Sequence, residues 1–168
     1  MIRQQNKGND DLSETTIEQK HALDGIYFFD PKESFEDISA LRDEMRQELS
    51  IIRGGQALLL ELGVQLGKFS IEERRFGAYY RYQGCVVGFA SGYMVRKGVL
   101  MMVELFVSAA FRRIGIAGEM LEWILNLARS FEATTLETTV LPGDAASKSL
   151  MESYGLKARA IVMSVELG

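Results

Sequence analysis

The sequence predicts an α/β fold: a mixed, mostly antiparallel sheet with helices on both faces, in the order β-α-α-β-β-β-α-β-α-β. Three observations carry that prediction. Strand-like runs at Arg75 to Tyr82, Cys85 to Val95 and Val99 to Val107 are separated only by the turn pairs Gln83-Gly84 and Lys97-Gly98, which makes an antiparallel meander. At Gly115 the apolar period changes from strand-like to helical and stays helical to Phe131. The β-branched run from Thr134 to Val140 then restores a strand, so helices alternate with strands in the last third of the chain.

Each element has its own local cause. Residues 1–24 contain no aromatic residue and little apolar pattern, and are expected as a mobile lead-in to a single domain over 25–168. Gly25 to Phe29 is a short strand, which Asp30-Pro31 turns. A helix follows from Phe35 to Ile52, with Ser34 as N-cap and Glu36 and Asp37 at the favourable end of its dipole. Ile38, Leu41, Met45, Leu49 and Ile52 form its apolar face; Asp43, Glu44, Arg46 and Glu48 read as a solvated one. Gly54-Gly55 ends this helix, and Gln56 to Leu66 reads as a second. Ala117, Met120, Leu121, Ile124, Leu127, Ala128 and Phe131 give the later helix a long apolar stripe. Asp144 to Tyr154 is a short helix closed by Gly155, and Ala158 to Leu167 is a last strand.

Composition narrows the function. At 168 residues the chain suits one domain with a real core. A net charge of −4 with no Lys/Arg-rich block argues against nucleic acid as the partner. Cys85 is the single cysteine, so no disulfide can form within the chain and a reducing, cytoplasmic setting is expected. Inside its strand-like run Cys85 reads as a small buried apolar residue. The single histidine, His21, lies in the polar lead-in, which sets aside a histidine-based triad or a His/Cys zinc site; no metal is expected. No apolar run reaches the roughly 18 residues of a membrane span, and the start carries no apolar secretory segment. No membrane partner is expected.

The chemistry concentrates in Leu100 to Gly118. An apolar strand empties into Arg112-Arg113-Ile114-Gly115-Ile116-Ala117-Gly118 at the head of a helix. A helix start offers backbone N–H groups without intrahelical partners and the positive end of the macrodipole, and small residues let an anion approach. The same spacing also fits a plain helix start with a packing glycine. A dinucleotide-binding turn is a further alternative, with Gly115, Gly118 and a later Glu137; the meander and the missing first glycine stand against it. No Gly-Lys-Ser/Thr occurs, so a Walker-type loop is absent.

Taken together, Arg112-x-x-Gly115-x-Ala117, the preceding Glu104-Leu105-Phe106-Val107 and the later Leu141-Pro142-Gly143-Asp144 with Leu150-Met151-Glu152 and Gly155-Leu156 resemble the GNAT superfamily of acyl-CoA N-acyltransferases. The resemblance implies acetyl-CoA as co-substrate and direct transfer of an acetyl group to a primary amine of a small molecule or protein. It implies that N–H groups of Arg113, Ile114, Gly115, Ile116, Ala117 and Gly118 hold the pyrophosphate, with charge from Arg112 and Arg113. The edge of Leu105, Phe106 and Val107 would take the pantetheine arm, with the N–H of Phe106 or Val107 at the thioester oxygen. Glu104 is the candidate base, alongside an ordinary strand carboxylate paired with an arginine. Asp144 and Ser147 are candidate CoA contacts, Asp144 serving equally as an N-cap. Met151 stands where the family has a proton-donating tyrosine, and methionine has no proton to give; Tyr154 is the candidate substitute, beside a packing role. A non-catalytic CoA-binding module is the alternative function. Dimerisation is common in that family, which leaves a homodimer open.

Overall fold

Two tight turns and three register shifts, at Tyr80/Arg81, Ser91/Gly92 and Met94/Arg96, set the sheet. The computed structural model describes residues 23–31, 36–52, 55–61 and 74–160. Strands β1 (Gly25–Phe28), β2 (Arg75–Tyr82), β3 (Cys85–Arg96), β4 (Val99–Val107) and β5 (Thr135–Thr138) lie side by side in that order. The first four are antiparallel, and β5 runs parallel to β4. Gln83 and Gly84 both take positive φ, 49° and 82°, the hairpin geometry whose twist matches that of paired strands.

Helices α1 (Glu36–Ile51) and α2 (Gly55–Glu61) cover one face of the sheet. Ile38, Leu41, Met45 and Leu59 join Phe89 and Phe106 in its core. Helices α3 (Ile116–Ser130) and α4 (Ala145–Ser153) cover the other. There Met120, Leu121, Ile124 and Met151 pack with Leu100, Met102 and Val107. Side chains such as Leu121 and Ile124, fully removed from water, contribute roughly 1.5–3 kcal/mol each, which makes α3 the best-anchored helix.

The irregularity that shapes the site is the bulge in β4. Gly92 of β3 faces Met102 and Ser91 faces Glu104, so Val103 has no opposite number. One extra residue inverts the alternation of faces. Leu100 and Met102 point to α3. Beyond Val103 it is Leu105 and Val107 that point there, while Glu104 and Phe106 turn toward α1. Pairing with β5 also stops here, running only from Val99 opposite Thr135 to Met102 opposite Thr138. The strand predicted to reach Val140 therefore ends at Thr138, because the neighbour it would pair with has bent away.

Other boundaries fall within a residue or two of those predicted. The lead-in up to residue 22, the N-cap Ser34, the second helix beyond Glu61 and residues 161–168 of the predicted last strand lie outside the described residues. Residues 158–160 carry no ladder pairing. Cys85 is exposed rather than buried, since it directly follows the hairpin turn, paired with Tyr82, and does not lie at mid-strand.

Candidate functional site

The site begins where β4 and β5 part. Ser108 N–H donates to the Val87 carbonyl, which fixes the parity of the antiparallel ladder. Backbone groups of Phe106 and Glu104 consequently face β3, while those of Leu105 and Val107 face the open side left by β5. Of the two N–H groups expected at a thioester, only that of Val107 points into the split; Phe106 N–H is used in the sheet.

Ser108 leads into a single 3-10 turn, Ala109–Phe111, and then into the head of α3. Gly115 is the N-cap with φ 97°, and a Cβ added there would meet nothing within 4 Å. Glycine is needed for the backbone, and the space above it is open to a ligand. Arg113 also has positive φ, 64°. Ile116, Ala117 and Gly118 occupy the first turn of α3, where N–H groups have no partner four residues back. Gly118 lies against α4: a Cβ there would stand 2.7 Å from the Tyr154 hydroxyl.

A cleft of about 710 Å³ joins these parts. Leu105, Phe106, Val107, Arg112, Arg113, Gly115, Ile116, Ala117, Gly118, Asp144, Ser147, Met151 and Tyr154 line it, as does Glu104. Ile114 does not; its side chain is exposed outside the cleft. The sequence-predicted residues thus converge, with that one exception. Asp144 Oδ1 accepts the Ser147 N–H at 3.0 Å, the N-cap role, with both residues at the cleft wall.

Polar side chains around β4 are heavily engaged. Glu104 is buried, and Arg42 of α1 grips it through two hydrogen bonds of 3.0 Å, one to each oxygen. Ser91 donates to the same carboxylate, and the Arg42 guanidinium lies over the Phe89 ring at 5.4 Å. Arg112 donates its Nε to the Val107 carbonyl at 2.7 Å and its Nη2 to both Glu48 oxygens, at 2.8 and 2.7 Å. Its expected role as a source of phosphate charge is occupied by a corner brace. Glu44 accepts from the Ser108 hydroxyl and from Ala109 N–H at 3.0 and 3.1 Å. Glu44 and Glu48 are therefore not a solvated face; they tie α1 to the β4–α3 corner. On the opposite side Tyr80 donates to Glu119 in the first turn of α3 at 2.8 Å. That carboxylate, helped by burial, pushes the Tyr80 hydroxyl up to about 12.

Arg42 and Ser91 are the site residues that the sequence does not single out. The alternation of β3 and the polar stripe of α1 place them on the right elements, but no local pattern pairs residues 62 positions apart, such as Arg42 and Glu104.

Comparison with known proteins agrees with this geometry. Residues 38–156 match the family model described as acetyltransferase (GNAT) family. The chain is 35% identical over 74 residues to an L-2,4-diaminobutyric acid acetyltransferase of Streptomyces avermitilis, a stretch covering 42% of this chain and 41% of that relative. Two solved structures share its fold. A ribosomal-protein-alanine N-acetyltransferase from Brucella melitensis biovar Abortus 2308 is 13% identical with a TM-score of 0.61, covering 87% of this chain and all of that one. An aminoglycoside N-acetyltransferase in complex with CoA is 14% identical with a TM-score of 0.59, covering 86% and 99%.

Proposed function

This chain belongs to the GNAT acetyltransferase family, and from that premise we propose that it moves an acetyl group from acetyl-CoA to a primary amine of a small molecule or protein, in the reducing setting that its lone, exposed Cys85 suits. One observation carries the reading: the split between β4 and β5 exposes the backbone edge of Leu105 and Val107 in the same cleft as the glycine-headed start of α3. The residues present fit the co-substrate. An open, positive-φ glycine at a helix N-terminus suits a pyrophosphate, and the edge of β4 beyond its pairing with β5, where Leu105 and the Val107 N–H stay available while the Val107 carbonyl is taken by Arg112, suits the amides of a pantetheine arm.

When bound, acetyl-CoA supplies an activated thioester whose acyl group passes directly to the amine within one ternary complex. Arg113, Gly115, Ile116, Ala117 and Gly118 would hold the phosphates through their N–H groups. Leu105 and Val107 would align the arm, and Val107 N–H is the donor aimed at the thioester oxygen. Much of the rate would come from positioning.

Proton transfer is assigned less to side chains than the family resemblance implies. Both Glu104 oxygens are held by Arg42 and Ser91 in a buried site, so we give Glu104 a positioning role: it ties the bulge to α1. The Tyr154 hydroxyl stands over Gly118, at the phosphate end, which suits a ligand contact there better than protonation of a thiolate. Met151 lines the cleft without a donor. Solvent at the mouth of the cleft is left to take the amine proton and to protonate the departing thiolate.

The same three facts favour a second reading, a CoA-binding module without turnover. Calorimetric titration with CoA, followed by thiol release from acetyl-CoA across a panel of amines, separates the two. Binding with release is the expected result; binding without release on any amine supports the module, and no binding at millimolar CoA overturns both.

A further inference from the structure

The cleft has a second half that phosphates and thioester do not use. It lies on the α1 side of the sheet, opposite α3. Its wall is formed by Met45, Leu49 and Ile52 near the end of α1, Leu59 of α2, Val103 at the bulge and Leu141. All six belong to one apolar cluster, three of them buried and three partly exposed to the cleft. Of the carboxylates lining the cleft among the described residues, Glu48 is paired with Arg112, Glu104 with Arg42 and Ser91, and Asp144 caps α4 through the Ser147 N–H.

These two facts select an acceptor. An ammonium group brought against aliphatic side chains loses hydration, and here no unspent carboxylate repays the loss. An apolar body gains there by leaving water. The wall belongs to the α1-side core cluster, whereas α3 packs in the cluster on the other face of the sheet. The wall therefore faces the second substrate rather than the acyl chain.

We propose that the acceptor amine is carried on an apolar body, aliphatic or aromatic, seated against Leu49, Ile52, Leu59 and Val103. The inference rests on the acetyl-CoA reading above and narrows its substrate class.

The test uses the full chain and CoA conjugates in which an S-carboxymethyl group is amide-linked to hexylamine, to phenethylamine or to 1,5-diaminopentane, the last keeping a distal ammonium. Isothermal titration should show the hexyl and phenethyl conjugates binding about tenfold or more tightly than both CoA and the diaminopentane conjugate. Leu49→Asn should remove most of that gain, with its CoA affinity as the folding control; Ile52→Ser repeats the test where Leu49→Asn does not fold. Equal or tighter binding of the diaminopentane conjugate overturns the inference while leaving the acetyl-CoA reading intact. A larger gain from hexanoyl-CoA over acetyl-CoA than from the hexyl conjugate over CoA also overturns it, by assigning the wall to a longer acyl donor. Failure of CoA itself to bind overturns the reading beneath it.

Discussion

At the α3 end of the cleft, what faces a ligand is backbone: the N–H groups after Gly115, whose φ of 97° only glycine adopts without strain. At the β4 bulge, by contrast, the surroundings are side chains bonded to one another, with Arg42, Glu104 and Ser91 on one side and Arg112 and Glu48 on the other. Backbone donors are present whatever the neighbours are, so a short run of sequence can specify the first end. The second end exists only when α1 is docked. The difference teaches that binding and positioning in this protein rest on separate supports and should fail separately.

Substitutions can break that separation or sharpen it. Gly115→Glu attacks the backbone end with bulk, charge and an unfavourable φ. It should weaken CoA by on the order of a hundredfold or more, read by calorimetry, with a far smaller loss of stability, about 1–2 kcal/mol for a side chain forced into the left-handed region. Glu104→Gln attacks the other end. It leaves Arg42 facing a neutral partner in a buried site, which should cost ~3 kcal/mol and lower the melting temperature by about 10 °C, while CoA affinity changes little. Should CoA affinity collapse along with stability, the two ends share one support.

Met151→Tyr probes the missing proton donor. A hydroxyl at this cleft position should raise steady-state thiol release about tenfold. An unchanged rate would mean that solvent already protonates the leaving group as fast as the reaction requires. The smallest effect is expected at Tyr80. Its proton is held more tightly in the folded protein, so its contribution is complete below about pH 10 and is lost as pH rises toward about 12. Tyr80→Phe should flatten the decline of stability in that alkaline window and leave its pH dependence below pH 9 unaltered.

Much of the molecule was legible because its causes are local. The turn pair Gln83-Gly84 forces a hairpin, the stripe from Ala117 to Phe131 forces a helix with one buried face, and Asp144 caps α4 as its position suggests. Arg112 shows where local reading stops. Its place in Arg-x-x-Gly-x-Ala is plain, yet its guanidinium is spent on Glu48 and the Val107 carbonyl. Glu44 and Glu48 likewise read as a wet helix face and prove to be ties, because a polar side chain on a helix carries no record of what will be packed beside it.

By itself the sequence determined the order of elements, the glycine-headed helix start and the departure at Met151, since each depends on residues close together in the chain. Only the tertiary structure decided which backbone groups face the split, because a single unpaired residue, Val103, reverses the alternation of everything after it. It also decided that Glu104 is gripped, that the Tyr154 hydroxyl lies over Gly118, and that an aliphatic wall closes the α1 side of the cleft. Those outcomes depend on how distant segments meet, and a contact between segments is a property of the packed chain rather than of either segment.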